Sequence, residues 1–227
     1  MEAELKTKLE EAKSESKIYQ EKNHFYVKGI EEKPIRIPSQ MYPVKGFPTL
    51  FHSGNTEELE DEVLKAAYDT IPFQIGKCYQ NAYDMLEVFK TLKIEGAEAY
   101  AGWVVPAGGG HLVHHAFVMY KKKHILDPSI DITLKDIEAF GALKNDALRE
   151  ALAERHIELQ KLPNSERATF GRASDAYAYI ASRQSPQEAL KDFQKLRKTY
   201  PNHPSYRNVD QNGQNPTIKK ILEKMDR

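Results

Sequence analysis

The chain has 227 residues, 40% of them hydrophobic, with 33 Lys plus Arg balanced by 33 Asp plus Glu, which allows one substantial core with additions. Zero net charge supplies no global field toward nucleic acid or anionic lipid, no run reaches the roughly 18 apolar residues of a membrane span, and one cysteine cannot form an internal disulfide. The opening segment is charged throughout and lacks the apolar run of a signal peptide, so the expected setting is cytoplasmic, or that of a protein injected into a host or target cell.

Residues 2–22 are dominated by Glu, Lys, Ala and Gln and are expected to form a mostly solvated helix or a frayed arm. His24 to Ile30 and Pro34 to Pro38 read as short strands punctuated by proline, followed by a loop from Met41 to Pro48. Asn55 and Thr56 offer caps ahead of a helix ending near Asp69. From Tyr79 to Leu92 the apolar residues Tyr79, Ala82, Tyr83, Leu86, Phe89 and Leu92 make one stripe at helical spacing. Strands are expected at Ala97 to Val105, Leu112 to Tyr120 and His124 to Asp127, joined by the flexible Gly108 to Gly110 loop and a Lys121-Lys122-Lys123 turn. Residues 134–161 and 174–199 carry a helical pattern, and the polar stretch from Asn202 to Pro216 reads as a tether before a last short helix. The expected division is a charged helical arm over 1–22, an α+β core over 23–135 and a helical extension with a polar tail over 136–227.

The chemistry-bearing residues converge on this core. Cys78, in Gly76-Lys77-Cys78-Tyr79-Gln80-Asn81-Ala82, stands where the amphipathic helix begins, and the unpaired N–H groups and positive dipole end of a helix start favour a thiolate. His115 and Asp127 follow on the next strands, in the order a thiol catalyst needs. If a three-residue turn pairs Tyr120 with His124, Asp127 falls opposite Phe117 and on the His115 face; a two-residue turn would point it away. The three residues then read as a Cys-His-Asp triad, against the alternative of a buried, inert cysteine.

His111, His114 and His115 with Asp127 also raise a zinc-site alternative, but His114 alternates to the opposite strand face from the other two, and no metal or other cofactor is expected. Around the triad, His111 is placed at the rim. Gln74 is a candidate for the oxyanion hole beside the Cys78 N–H, or a loop cap. Asn81 either touches substrate or ties down the preceding loop, and Trp103 packs the core or walls the cleft. The excess of Lys and Arg from Lys191 to Arg227 reads as a solvated helix face rather than a phosphate-binding surface.

Over roughly residues 70–130, the Gly-x-Cys-x-x-Asn-Ala opening, the Glu98-Ala99-Tyr100-Ala101-Gly102-Trp103 strand, His115-Ala116-Phe117 and Leu126-Asp127-Pro128 resemble the core of the transglutaminase-like, papain-like cysteine superfamily. They are especially similar to its small bacterial and phage members, with Phe117 where many members carry Trp. The resemblance implies a catalytic helix packed on an antiparallel sheet, with Cys78 as nucleophile, His115 as general base and acid, and Asp127 as the orienting carboxylate.

These observations lead to the expectation of a cysteine-dependent acyl-transfer enzyme, a peptidase, amidase or deamidase acting on a protein or peptide through a thioester. The alternatives are a transglutaminase-type amine transferase and a non-enzymatic protein-binding module that retains the fold.

Overall fold

The computed structural model describes residues 17–28, 34–38, 46–73, 76–106, 112–129 and 145–202, with Tyr206, Lys219, Glu223 and Lys224. Within these the chain is α+β, with two antiparallel sheets. The smaller has three strands in the order β1 (Lys17–Glu21), β2 (His24–Lys28), β3 (Ile35–Pro38). The larger has six in the order β4-β9-β5-β6-β7-β8: β4 is Thr49–Phe51, β5 Ala97–Pro106, β6 Val113–Tyr120, β7 His124–Asp127, β8 Thr169–Gly171 and β9 Tyr177–Arg183. Its strand pairings, among the described residues, are all antiparallel.

Five helices are described: α1 (Glu62–Asp69), α2 (Cys78–Thr91), α3 (Asn145–Leu159), the short α4 (Asn164–Arg167) and α5 (Pro186–Thr199). Among the described residues no helix is long and apolar enough to cross a membrane. The start of α1 lies further along than Asn55 and Thr56 suggested. Asp61 is the cap, its carboxylate accepting from the Leu64 N–H at 2.9 Å. Asn55 and Thr56 instead knit the preceding loop, Asn55 accepting from the His52 N–H and Thr56 donating to the His52 carbonyl.

Two expected assignments change. Residues 17–21, placed in a helical arm, form β1, because pairing with β2 gives them a partner that an isolated polar helix lacks: Tyr19 lies opposite Tyr26, their rings stacked at 5.1 Å. Lys22 lies in the turn to β2, and residues 1–16 of that arm lie outside the described residues. The single helix expected over 174–199 is a strand, β9, followed by α5, whose cap Ser185 accepts from the Glu188 N–H. Thr169–Gly171 is also a strand, so the region assigned to a helical extension supplies two strands of the six-stranded sheet.

Successive side chains along β6 and β9 are buried, so both faces of the central sheet carry core residues. On one face α2 lays Tyr79, Ala82, Met85 and Phe89 against Ala101, Ala116, Val118 and Leu126. The same face of β5 and β9 carries Trp103, Val105 and Ile180, which pack on Phe25, Val27 and Ile37 of the small sheet. The other face gathers Phe51, Val104, Phe117, Met119, Ile125 and Tyr179. Each buried Val, Leu, Ile, Phe or Met side chain among these contributes roughly 1.5–3 kcal/mol relative to exposure. Strands β5 and β9 approach closely at Gly102, where a Cβ would stand 2.0 Å from the Ile180 carbonyl oxygen.

The β6–β7 register decides what faces what. Tyr120 pairs with His124, Met119 with Ile125 and Val118 with Leu126, across a three-residue turn in which Lys121 and Lys122 have φ of 49° and 61°. One step further along that ladder brings Asp127 beside Phe117, on the face that carries His115.

Candidate active site

His115 stands near the start of β6 and Asp127 is the last residue of β7, so the two meet at one end of the sheet. His115 Nε2 lies 2.7 Å from Asp127 Oδ2, and both residues are buried. Gly102 is the β5 neighbour opposite His115 and presents no side chain beside the imidazole.

The carboxylate is held on all sides. Tyr179 donates its hydroxyl to Oδ2 at 3.1 Å, and the Ser129 N–H donates to Oδ1 at 3.0 Å. Just beyond, Arg167 donates to the Pro128 carbonyl at 2.8 Å and to Asn164 Oδ1 at 2.6 Å, while Asn164 donates to the carbonyls of Tyr68 and Ile71. The turn that carries Asp127 is thereby fixed to α1 and α4.

Burial alone would push the His115 ring down. The charge and hydrogen bond of the Asp127 carboxylate, together with a hydrogen bond and charge from Cys78, outweigh it, and the imidazole is raised from 6.5 to about 10. The Cys78 side chain is therefore within interaction range of the His115 ring. With Nε2 committed to Asp127, Nδ1 is the ring nitrogen left for the thiol. Tyr179 and Tyr68 are both raised well above 10, burial being the larger cause and the Asp127 charge the second. The same shift favours the protonated Tyr179 hydroxyl that donates to Asp127 Oδ2.

Cys78 is the first residue of α2 and is partly buried. The turn delivering it includes Gly76 at φ 69°, a left-handed conformation that glycine adopts without steric cost. Lys77 caps α2 with no side-chain hydrogen bond, so no such cap from Lys77 competes for the first-turn N–H groups. Although α2 packs on the opposite face from His115, its N-terminus reaches the end of the sheet where the His115–Asp127 pair sits.

The remaining candidates separate. Gln74, His111 and the Gly108 to Gly110 loop lie outside the described residues. Asn81 is fully buried, and its Nδ2 donates to Ser129 Oγ at 2.9 Å, a protein contact where a substrate contact was one of the two expectations. Trp103 lies on the α2 face, 2% exposed and edge-on to its cross-strand neighbour His114, in the core and away from the His115 face.

His114 itself is stacked on Phe193 at 4.5 Å, with Tyr79 Oη 3.2 Å from its Nε2. Burial, and then the charge of His115, hold it well below 6.5 and therefore neutral. Among the described residues, no group of three His, Cys, Asp or Glu side chains is arranged to hold a metal ion.

Tyr179, Ser129 and Arg167 escaped the sequence. The alternation of Tyr177 and Tyr179 with small residues was the one available sign of a strand there. Ser129 and Arg167 carried no signal, because their roles depend on contacts between segments far apart in the chain.

Comparison with family models, with curated proteins and with solved structures returns no match. By itself the fold is an α+β chain in which a buried histidine and a buried aspartate meet at one end of an antiparallel sheet, with a cysteine at a helix start within range of the same imidazole.

Proposed function

We propose that this chain is a cysteine-dependent acyl-transfer enzyme, a peptidase, amidase or deamidase acting on a protein or peptide, with Cys78, His115 and Asp127 as its reacting set and a transglutaminase-like, papain-like core. The observation that carries the proposal is the 2.7 Å His115–Asp127 contact with Cys78 beside the same ring, which favours an imidazolium partner for a thiolate.

His115 takes the Cys78 proton at Nδ1, and Asp127 holds the ring by Nε2–H. The thiolate attacks the carbonyl carbon of an amide, forming the C–S bond and placing negative charge on the carbonyl oxygen. That oxyanion is stabilised by backbone N–H groups at the start of α2, each such donor being worth roughly 2.7–4 kcal/mol in measured cases. Collapse breaks the C–N bond, and the leaving nitrogen takes the proton from His115 Nδ1. Water then gives a proton to His115 Nδ1 and attacks the thioester carbonyl; collapse breaks the C–S bond, the carboxylic acid leaves, and the Cys78 thiolate is regenerated beside the imidazolium.

The test is product analysis with a pool of synthetic peptides containing internal glutamine, incubated with and without a small primary amine. Peptide cleavage or ammonia release by the wild type, lost in Cys78→Ser, is the expected result. Incorporation of the amine in place of release moves the assignment to an amine transferase. Identical product profiles for wild type and Cys78→Ser overturn the proposal.

A further inference from the structure

We infer that Asn81 and Ser129 form a positioning clasp that locks the nucleophile helix to the turn carrying the Asp127 carboxylate. The inference rests on the reading of Cys78 and His115 as a reacting pair. Asn81 is three residues, about one turn, beyond Cys78, and its backbone N–H closes the first turn of α2 on the Lys77 carbonyl at 2.8 Å. Its side chain is therefore fixed relative to the Cys78 backbone.

A fully buried carboxamide is tolerated only with partners, and Asn81 Nδ2 donates to Ser129 Oγ at 2.9 Å across 48 residues of sequence. Ser129 in turn donates its N–H to Asp127 Oδ1 at 3.0 Å. The two carboxylate oxygens are thereby assigned different partners, Oδ1 to Ser129 and Oδ2 to His115 and Tyr179. Rotation of the carboxylate breaks one set or the other.

From Cys78 the connection thus runs through one helical turn to Asn81, through Ser129 to Asp127, and through His115 back to Cys78. Every link in this ring other than the helical turn is a hydrogen bond or the His115–Cys78 contact. Loosening the Asn81–Ser129 link leaves the His115–Asp127 contact in place but frees the turn to shift against α2, which changes where the imidazole sits relative to the thiol.

The experiment is the pH profile of Cys78 alkylation by iodoacetamide in wild type, Ser129→Ala, Ser129→Thr, Asn81→Ala, the Asn81→Ala/Ser129→Ala double variant and His115→Ala, each checked for cooperative melting. Ser129→Ala is expected to slow alkylation at pH 6 by about 3- to 10-fold, the size of one lost hydrogen bond. Ser129→Thr, which keeps a hydroxyl, should remain near wild type. The double variant should be no slower than the slower single variant, since both remove one link. Should Asn81→Ala fail to fold, the Ser129→Ala and Ser129→Thr pair decides alone. A folded Ser129→Ala protein with the wild-type profile, alongside a slow His115→Ala, overturns the clasp and leaves the Cys–His pair standing. If His115→Ala also matches wild type, the reacting pair and the clasp fall together.

Discussion

His115 Nε2 and Asp127 Oδ2 lie 2.7 Å apart, between two strands joined by a three-residue turn, and this contact leaves Nδ1 as the ring nitrogen that the carboxylate does not engage. It also favours the charged ring, because burial opposes the imidazolium and the carboxylate supplies the largest contributions against burial, with Cys78 adding to them. In Asp127→Asn the neutral amide retains the shape but not the charge, and burial should then dominate. The imidazolium pKa is expected to drop from about 10 to below 6.5, read by a carbon-13 NMR titration of the ring. A His115 resonance still titrating near its wild-type value would show that the carboxylate is not what holds the proton.

The adjacent histidines should shape stability in opposite directions. His115 is raised from 6.5 to about 10, so its stabilising contribution is fully present below pH 6.5 and is lost as pH rises through about 10. His114 is lowered below 6.5, so its contribution is present above that value and fades as pH falls further into the acid range. Urea unfolding across this window should show a decline on the alkaline side that flattens in Asp127→Asn. A decline on the acid side should flatten in His114→Gln. Curves that keep the wild-type slopes in both variants would contradict these assignments.

Tyr179 reaches Asp127 from β9, far along the chain, and packs its ring on Phe117 at 4.7 Å. Replacement by Phe keeps the packing and removes only the hydroxyl, with its hydrogen bond to the Asp127 carboxylate and its side-chain hydrogen bond with Thr169. A stability loss of roughly 1.5–3 kcal/mol is expected in urea melts, together with a shift of the Cys78 alkylation profile toward that of an ordinary thiol. Loss of stability with an unmoved alkylation profile would reduce Tyr179 to a packing residue.

Gly102→Ala places a methyl group against backbone, 2.0 Å from the Ile180 oxygen and 2.7 Å from the Ala181 Cα, where no side chain can swing aside. Strands β5 and β9 must then separate beside His115. A loss of about 1–3 kcal/mol is expected in urea unfolding, the typical cost of overpacking. A variant as stable as wild type would show that the two strands part without cost.

Helix α2 and strands β5 to β7 were legible because their patterns are local: a stripe at helical spacing, then a hairpin whose three-lysine turn sets the register. The proximity of Cys78, His115 and Asp127 follows from that register and from α2 docking its Tyr79 and Phe89 face on β6. Strand β9 was not legible. Its Tyr-Ala-Tyr-Ile-Ala-Ser-Arg sequence lies between β4 and β5 with both faces covered, so no polar alternation marks it, and its alanines favour a helix when read alone. The small residues are there for packing: Ala181 lies opposite Gly102, where the backbones approach. Tyr179 was hidden with the strand that carries it. The β1 strand was hidden for a related reason, since its stability comes from β2 rather than from its own propensity.

The most direct test of the account is the rate of Cys78 alkylation by iodoacetamide as a function of pH, in wild type and in His115→Ala. A rapid reaction that persists well below the free-thiol pKa of about 8.5 and disappears in His115→Ala is the predicted result, and it establishes the thiolate–imidazolium pair. A slow reaction that follows an ordinary thiol titration, and that the substitution leaves unchanged, would contradict it.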